Sequence, residues 1–181
     1  MESVKPLPKE IDEALSQVKA GARRLRSSST DTRNRVLGAL ETKLGREDAA
    51  ILTANQVDLA ALSEESSAAF RDRLTLNPER IAGMRESLRQ VASFDDPVGE
   101  IVDDQTLKNG LQAKRVRSPL GVIFMIYESR PNVAIEAFSL ALKSGNGLIL
   151  RGGKESRETT KILYRLIGEA MTEGGLELAG K

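Results

Sequence analysis

The sequence predicts an α/β protein in which a helical amino-terminal segment leads into part of a parallel sheet. Apolar residues at three- and four-residue spacing fill the first half, which is the signature of amphipathic helices. Two short continuous apolar runs, separated by a helical pattern, fill the end, as in strands joined by a crossover helix. Between these regions Asn109-Gly110 lies between two strand-like runs, a hairpin signal.

In the first segment Ile11, Leu15, Val18, Ala22 and Leu25 form one helical stripe, read as core packing. Ser27-Ser28-Ser29-Thr30-Asp31 interrupts it and supplies N-caps for a second helix with Val36, Leu37, Leu40 and Leu44 on its apolar face. A third helix is expected from near Arg46, including Ala49, Ala50, Leu52 and Ala54. Asn77-Pro78 pairs a cap with a first-turn proline ahead of Ile81, Met84, Leu88 and Val91. After Asp95-Asp96-Pro97 the pattern shortens into runs around Ile101-Val102 and Leu111 to Val116.

From Pro119 the order is strand, helix, strand, helix. Val122 to Tyr127 reads as a strand covered on both faces, and Asn132 as the residue that opens the following helix. Gly145 is expected to close that helix, Leu148-Ile149-Leu150 to form the second strand, and Glu155 or Ser156 to begin the last helix. Gly174-Gly175 ends it, and six residues follow where a doubly wound sheet needs another strand. The organisation expected is a helical lead-in over 1–95, a hairpin over 96–118 and an incomplete, truncated dinucleotide-binding α/β unit over 119–181.

Composition narrows the function. The chain has no Cys and no His, which excludes a thiol nucleophile, a Ser-His-Asp triad, disulfides and the usual zinc sites from its own residues. A net charge of +1 and 3% aromatic residues give no reason to expect a nucleic-acid partner. The longest apolar run is too short for a bilayer and the amino terminus lacks a signal-peptide pattern, so no membrane association and a cytoplasmic location are expected.

Three glycine-rich or polar stretches are candidates for chemistry. Gly145-Asn146-Gly147 closes a helix and enters a strand, the reverse of a dinucleotide fingerprint, so it reads as helix termination. Arg151-Gly152-Gly153-Lys154-Glu155-Ser156 lies between the end of a parallel strand and a helix start, where open α/β sheets bind ligands. Its two cations suit a phosphate, while a plain glycine turn with solvated charges fits the same pattern. Tyr127-Glu128-Ser129-Arg130-Pro131-Asn132 also follows a buried-type strand; it could line a cleft, or Asn132 could simply cap a helix.

Ser118 to Ile123, Tyr127 to Val133, Leu142 to Asn146 and Leu150 to Ser156 resemble gamma-glutamyl phosphate reductases, the glutamate-5-semialdehyde dehydrogenases of the aldehyde dehydrogenase superfamily. Asp72-Arg73-Leu74 and Asp96-Pro97-Val98-Gly99 are similar too. The similarity runs from about Pro8 to Leu176 but covers less than half of a family member. The resemblance implies an oxidoreductase of proline biosynthesis that reduces gamma-glutamyl phosphate with NADPH, through a nucleophilic cysteine that this chain lacks. It also implies a sheet of the aldehyde dehydrogenase type, a cofactor domain that the helical segment leads into, and a hairpin used for oligomerisation.

By the same resemblance Asn132 matches an asparagine whose amide holds the developing oxyanion. Arg151 matches the basic position near the adenosine ribose and its phosphate, with Gly152, Gly153, Lys154 and Ser156 in the same cofactor loop. Arg130, on charge alone, is placed at the substrate's acyl phosphate. The alternative is a non-catalytic binding or assembly module that pairs with another copy or with a full-length reductase. With no nucleophile, the purified chain mixed with gamma-glutamyl phosphate and NADPH is expected to form no semialdehyde; detection of that product would overturn the expectation.

Overall fold

The computed structural model describes residues 8–176. Five helices come first: α1 (Lys9–Arg26), α2 (Thr30–Arg46), α3 (Asp48–Ala60), α4 (Ala68–Leu74) and α5 (Pro78–Ser93). They are followed by β1 (Ile101–Thr106), β2 (Gln112–Val116), β3 (Val122–Ile126), α6 (Pro131–Lys143), β4 (Gly147–Arg151), a 3-10 turn (Lys154–Ser156) and α7 (Arg157–Glu173). Among the described residues no helix is long and apolar enough to cross a membrane.

Local chemistry sets the helix starts. Ser29 accepts the Thr32 N–H at 3.2 Å and opens α2, and Ser67 accepts the Phe70 N–H at 3.2 Å and opens α4, a short helix the periodicity does not reveal. Asn77 accepts the Arg80 N–H at 2.7 Å ahead of Pro78, fixing the start of α5. Helix α6 differs from expectation. Pro131 is its first residue, Arg130 occupies the N-cap position without a capping bond, and Asn132 lies inside the first turn. Proline at this point needs no N–H partner, so the helix starts without the asparagine cap.

One core runs through both halves of the chain. Val36, Leu37, Leu40 and Leu44 of α2 are fully buried against Met84 and Leu88 of α5, Ile135 and Leu142 of α6, and Leu163 and Leu166 of α7. The α1 stripe is only partly core. Ala22 and Leu25 are buried, whereas Ile11 is 49% exposed, because the described elements pack only on the last turns of this helix. An apolar groove of about 640 Å³ opens beside them, lined by Val18, Leu25, Phe138, Leu150, Ile167 and Met171 among others.

Polar side chains pin α6 to this core. The Arg33 guanidinium, 1% exposed, bonds the Asp96 carboxylate at 2.5 Å and the Lys143 carbonyl at 3.2 Å. Asp96 also accepts from the Thr30 hydroxyl and, at 2.9 Å, from the Val98 N–H. Lys143, 3% exposed, donates to Asn34 Oδ1 and the Ala92 carbonyl, each at 2.9 Å. Burial pushes the Lys143 pKa below that of an ordinary lysine, with the Asp96 charge opposing. For Asp96 burial opposes ionisation, but the Thr30 and Val98 hydrogen bonds and the Arg33 charge outweigh it and hold its pKa below its ordinary value.

The strands form two separate pairs: β1 with β2, antiparallel, and β3 with β4, parallel. The first pair is a ribbon with almost every residue exposed, and Lys114 meets Asp104 at 3.2 Å across it. Its corner is a three-residue connection. Leu107 N–H bonds the Leu111 carbonyl, Gly110 N–H bonds the Leu107 carbonyl, and Gly110 takes a φ of +84°. That is a turn over Lys108-Asn109-Gly110 completed by a left-handed glycine, and it makes the hairpin expected there.

Strand β3 is not covered on both faces as its composition suggests. Phe124 and Ile126 are 58% and 65% exposed, because the described helices shield one face of a two-stranded sheet and leave the other open. Continuous apolar composition reports burial in a complete sheet, not in two strands of one.

Removing Asp96 leaves a buried guanidinium uncompensated, so Asp96→Ala is expected to destabilise the fold by about 3 kcal/mol in urea unfolding. Because its folded pKa is depressed, the Asp96 contribution is full above about pH 3.9 and is lost as pH falls through the folded value. Asp96→Asn should flatten that acid limb of the stability curve.

Candidate functional site

Parallel pairing of β3 with β4 brings two loops to the same edge of the sheet. Register places Ile126 against Arg151, and the Tyr127 N–H extends the ladder to the Arg151 carbonyl at 3.0 Å. The loop from Tyr127 to Asn132 and the loop from Arg151 to Ser156 therefore leave the carboxyl ends of neighbouring strands together, the position where such sheets bind ligands.

Side chains then knit the loops. The Ser129 hydroxyl, on a residue 4% exposed, donates to Glu155 Oε2 at 2.6 Å. The Tyr127 hydroxyl lies 3.4 Å from that of Tyr164 on α7, and burial followed by this contact pushes the Tyr164 pKa above its usual value. Glu128 points outward to Arg73 of α4 at 2.9 Å. The Glu155 pKa is held below its ordinary value, first by the Ser129 bond and then by its own N–H, with the Lys154 charge assisting.

The glycines serve this packing. A Cβ on Gly152 would stand 2.9 Å from the Tyr127 ring, and one on Gly153 would stand 1.9 Å from Ser129 Oγ. The space a side chain would take is thus filled by the neighbouring loop, which explains two consecutive glycines without a ligand. Gly145 has a different task. Its φ of +72°, with Gly145 N–H to the Leu142 carbonyl at 3.0 Å and Asn146 N–H to the Ala141 carbonyl at 2.8 Å, ends α6 in a left-handed C-terminal turn.

The amino end of α7 is taken as well. Asp58 of α3, 5% exposed, accepts from the Glu158 N–H at 2.9 Å, the Thr159 N–H at 2.8 Å and the Thr159 hydroxyl at 2.6 Å. One turn earlier Asn55 donates to the Leu74 carbonyl at 2.9 Å and accepts the Leu76 N–H at 2.7 Å. The positive end of the helix therefore already faces a carboxylate, and a phosphate arriving here must be met by side chains.

Among the residues singled out from sequence, Arg151 and Lys154 are exposed, and neither pairs with a carboxylate among the described residues. Two such cations suit a phosphorylated nucleotide. Ser156 is fully buried and its hydroxyl donates to the Gly153 carbonyl at 3.2 Å, so it braces the loop from within. Arg130 is exposed at the start of α6. Asn132 spends its amide on Glu136 Oε1 at 2.9 Å, one turn along the same helix. Sequence reasoning missed Asp58, Asn55 and the Ser129–Glu155 link; none carries a local signal, since each partner lies far away in the chain.

Comparison with known proteins fits this arrangement. No protein-family model matches the chain. It is 45% identical over 169 residues to a gamma-glutamyl phosphate reductase from Gluconobacter oxydans (strain 621H), covering 93% of this chain and 40% of that protein. The crystal structure of gamma-glutamyl phosphate reductase from Thermotoga maritima superposes with a TM-score of 0.88 at 36% identity, covering 95% of this chain and 42% of the other. A methylmalonate-semialdehyde dehydrogenase from Oceanimonas doudoroffii shares the fold at 17% identity, with a TM-score of 0.67 over 90% of this chain and 31% of that one. The chain spans about two fifths of the length of the reductases it matches. The resemblance read from its motifs holds: the chain is similar to the amino-terminal part of gamma-glutamyl phosphate reductases and has the fold that this part shares with aldehyde dehydrogenases.

Truncating Asp58 strands three buried donors, so Asp58→Ala is expected to cost about 2 kcal/mol. Amide hydrogen exchange should accelerate first at Glu158 and Thr159, before the rest of α7 responds.

Proposed function

We propose that this chain supplies the cofactor loop and one substrate-side loop of a gamma-glutamyl phosphate reductase, an enzyme that forms glutamate-5-semialdehyde and phosphate in the cytoplasm for proline biosynthesis. The observation that carries the reading is the pair of exposed cations, Arg151 and Lys154, at the carboxyl end of β4 beside the loop bearing Arg130 and Asn132. When bound, NADPH supplies the hydride.

In this reading Arg151 and Lys154 hold the ribose phosphate that distinguishes NADPH from NADH. Gly152 and Gly153 offer backbone only, since the space at their α-carbons is closed by Tyr127 and Ser129. Ser156 acts by keeping the loop folded, through its bond to the Gly153 carbonyl. Arg130 meets the acyl phosphate. Asn132 serves the oxyanion after releasing Glu136, and loss of such a donor typically slows a reaction about a hundred- to a thousandfold. The nucleophile comes from outside this chain, which has no cysteine.

A second reading is favoured by exposed apolar side chains. Leu111 on the hairpin, with Phe124 and Ile126 on the open face of β3, are 60%, 58% and 65% exposed. An assembly module that packs this surface against another copy or a full-length reductase fits them equally.

Titrating the chain with NADPH and with NADH separates the readings. The chain is expected to bind NADPH more tightly, and Lys154→Ala to weaken NADPH about tenfold, the loss of one charge-assisted bond, while leaving NADH unchanged. Equal affinity for the two nucleotides, or no loss in the variant, would remove the cofactor assignment and leave the assembly reading.

A further inference from the structure

We infer that Ser129 and Glu155 form a positioning pair that couples the loop carrying Arg151 and Lys154 to the loop carrying Arg130 and Asn132. The inference rests on the roles proposed above for those loops, and the experiment below tells its failure from theirs.

The link is built in, because both partners and the space around them are committed to it. Ser129 is 4% exposed, and its hydroxyl meets Glu155 Oε2 at 2.6 Å. Gly153 leaves room for the bond, since a Cβ there would stand 1.9 Å from Ser129 Oγ and 2.8 Å from Glu155 Oε2. Asp58 fixes the far side of the cofactor loop by holding the Glu158 and Thr159 N–H groups. A shift of the segment between Arg151 and Glu155 is therefore not absorbed by sliding α7, and the adjoining element free to follow is Ser129.

From Ser129 the shift reaches the other loop through short backbone bonds. The Arg130 N–H donates to the Glu128 carbonyl at 2.7 Å and the Val133 N–H to the Arg130 carbonyl at 3.1 Å, spanning Ser129, Arg130 and Asn132. Glu128 is held separately by Arg73 at 2.9 Å, so the loop has one fixed post and one that follows the cofactor loop. A nucleotide phosphate drawing in Lys154 would move its neighbour Glu155 and, through Ser129, the first turn of α6. Neither residue need touch a ligand.

The full chain, labelled with nitrogen-15, can be followed by NMR across the carboxylate pH range. Glu155 faces the Ser129 hydroxyl, its own N–H and the Lys154 charge, and the neighbouring Glu128 carboxylate is paired with Arg73. The Ser129 and Arg130 amides are expected to report the Glu155 titration, with a midpoint below that of an ordinary glutamate. Ser129→Ala should raise that midpoint towards the ordinary value and remove the response at Arg130. Glu155→Gln, nearly isosteric, should remove it too. Silent Ser129 and Arg130 amides in the natural chain, or an unchanged response in either variant, would overturn the coupling.

Adenosine 2′,5′-bisphosphate then probes the loops with a ligand. In the natural chain it should shift amides at 151–156 and at 129–132; in Glu155→Gln the shifts at 129–132 should fall several-fold while those at 151–156 persist. Equal shifts in both proteins would again overturn the coupling. No shift at 151–156 would instead overturn the cofactor assignment, and the titration alone would then decide the pair.

Discussion

Asp58 is the interaction on which the arrangement of this protein depends. Helix α7 begins straight after a 3-10 turn, and Ser156, at its N-cap position, makes no capping bond with its side chain. The first-turn N–H groups of a buried helix end need partners, and α3 provides them through one carboxylate. Asn55, one turn away on the same face, ties the segment between α4 and α5 to the same point. The helical amino-terminal part and the strand-helix units are thereby one body, with the loop over 151–156 held between β4 and α7.

That choice constrains ligand chemistry. A helix N-terminus after a parallel strand is a ready anion site, but here the field is already answered by a carboxylate. Under the proposed function, phosphate recognition at this edge would fall to Arg151 and Lys154, both exposed on the loop after β4. The glycines between them serve the approach of one loop to the other.

The Arg33–Asp96–Lys143 cluster plays the corresponding part on the other side of the core. Such buried charges gain little net stability over apolar residues, because desolvation offsets their attraction; they fix which arrangement is adopted. Here they set the carboxyl end of α6 against α2 and α5. The open face of β3 and the exposed ribbon stand in contrast to this buried cluster.

Much of the fold was legible because its causes are local. Helix periodicity in α2 and α5, the Ser29 and Asn77 caps, the glycine that ends α6 and the two parallel strands all follow from residues within a few positions of one another. The same local reading, with the motifs around Ser129 and Arg151, was enough to indicate the family likeness. It misjudged α1 and β3, since whether an apolar face is covered depends on what else packs there. It also misjudged Asn132, because Pro131 starts the helix without a cap. Tertiary structure alone decided that Asp58 holds α7, that Arg33 finds Asp96, and that Ser129 meets Glu155, with partners separated by 100, 63 and 26 positions. Each is a polar contact between residues ordinary in their own surroundings. Only chain folding, by excluding water and bringing them within reach, turns them into structure.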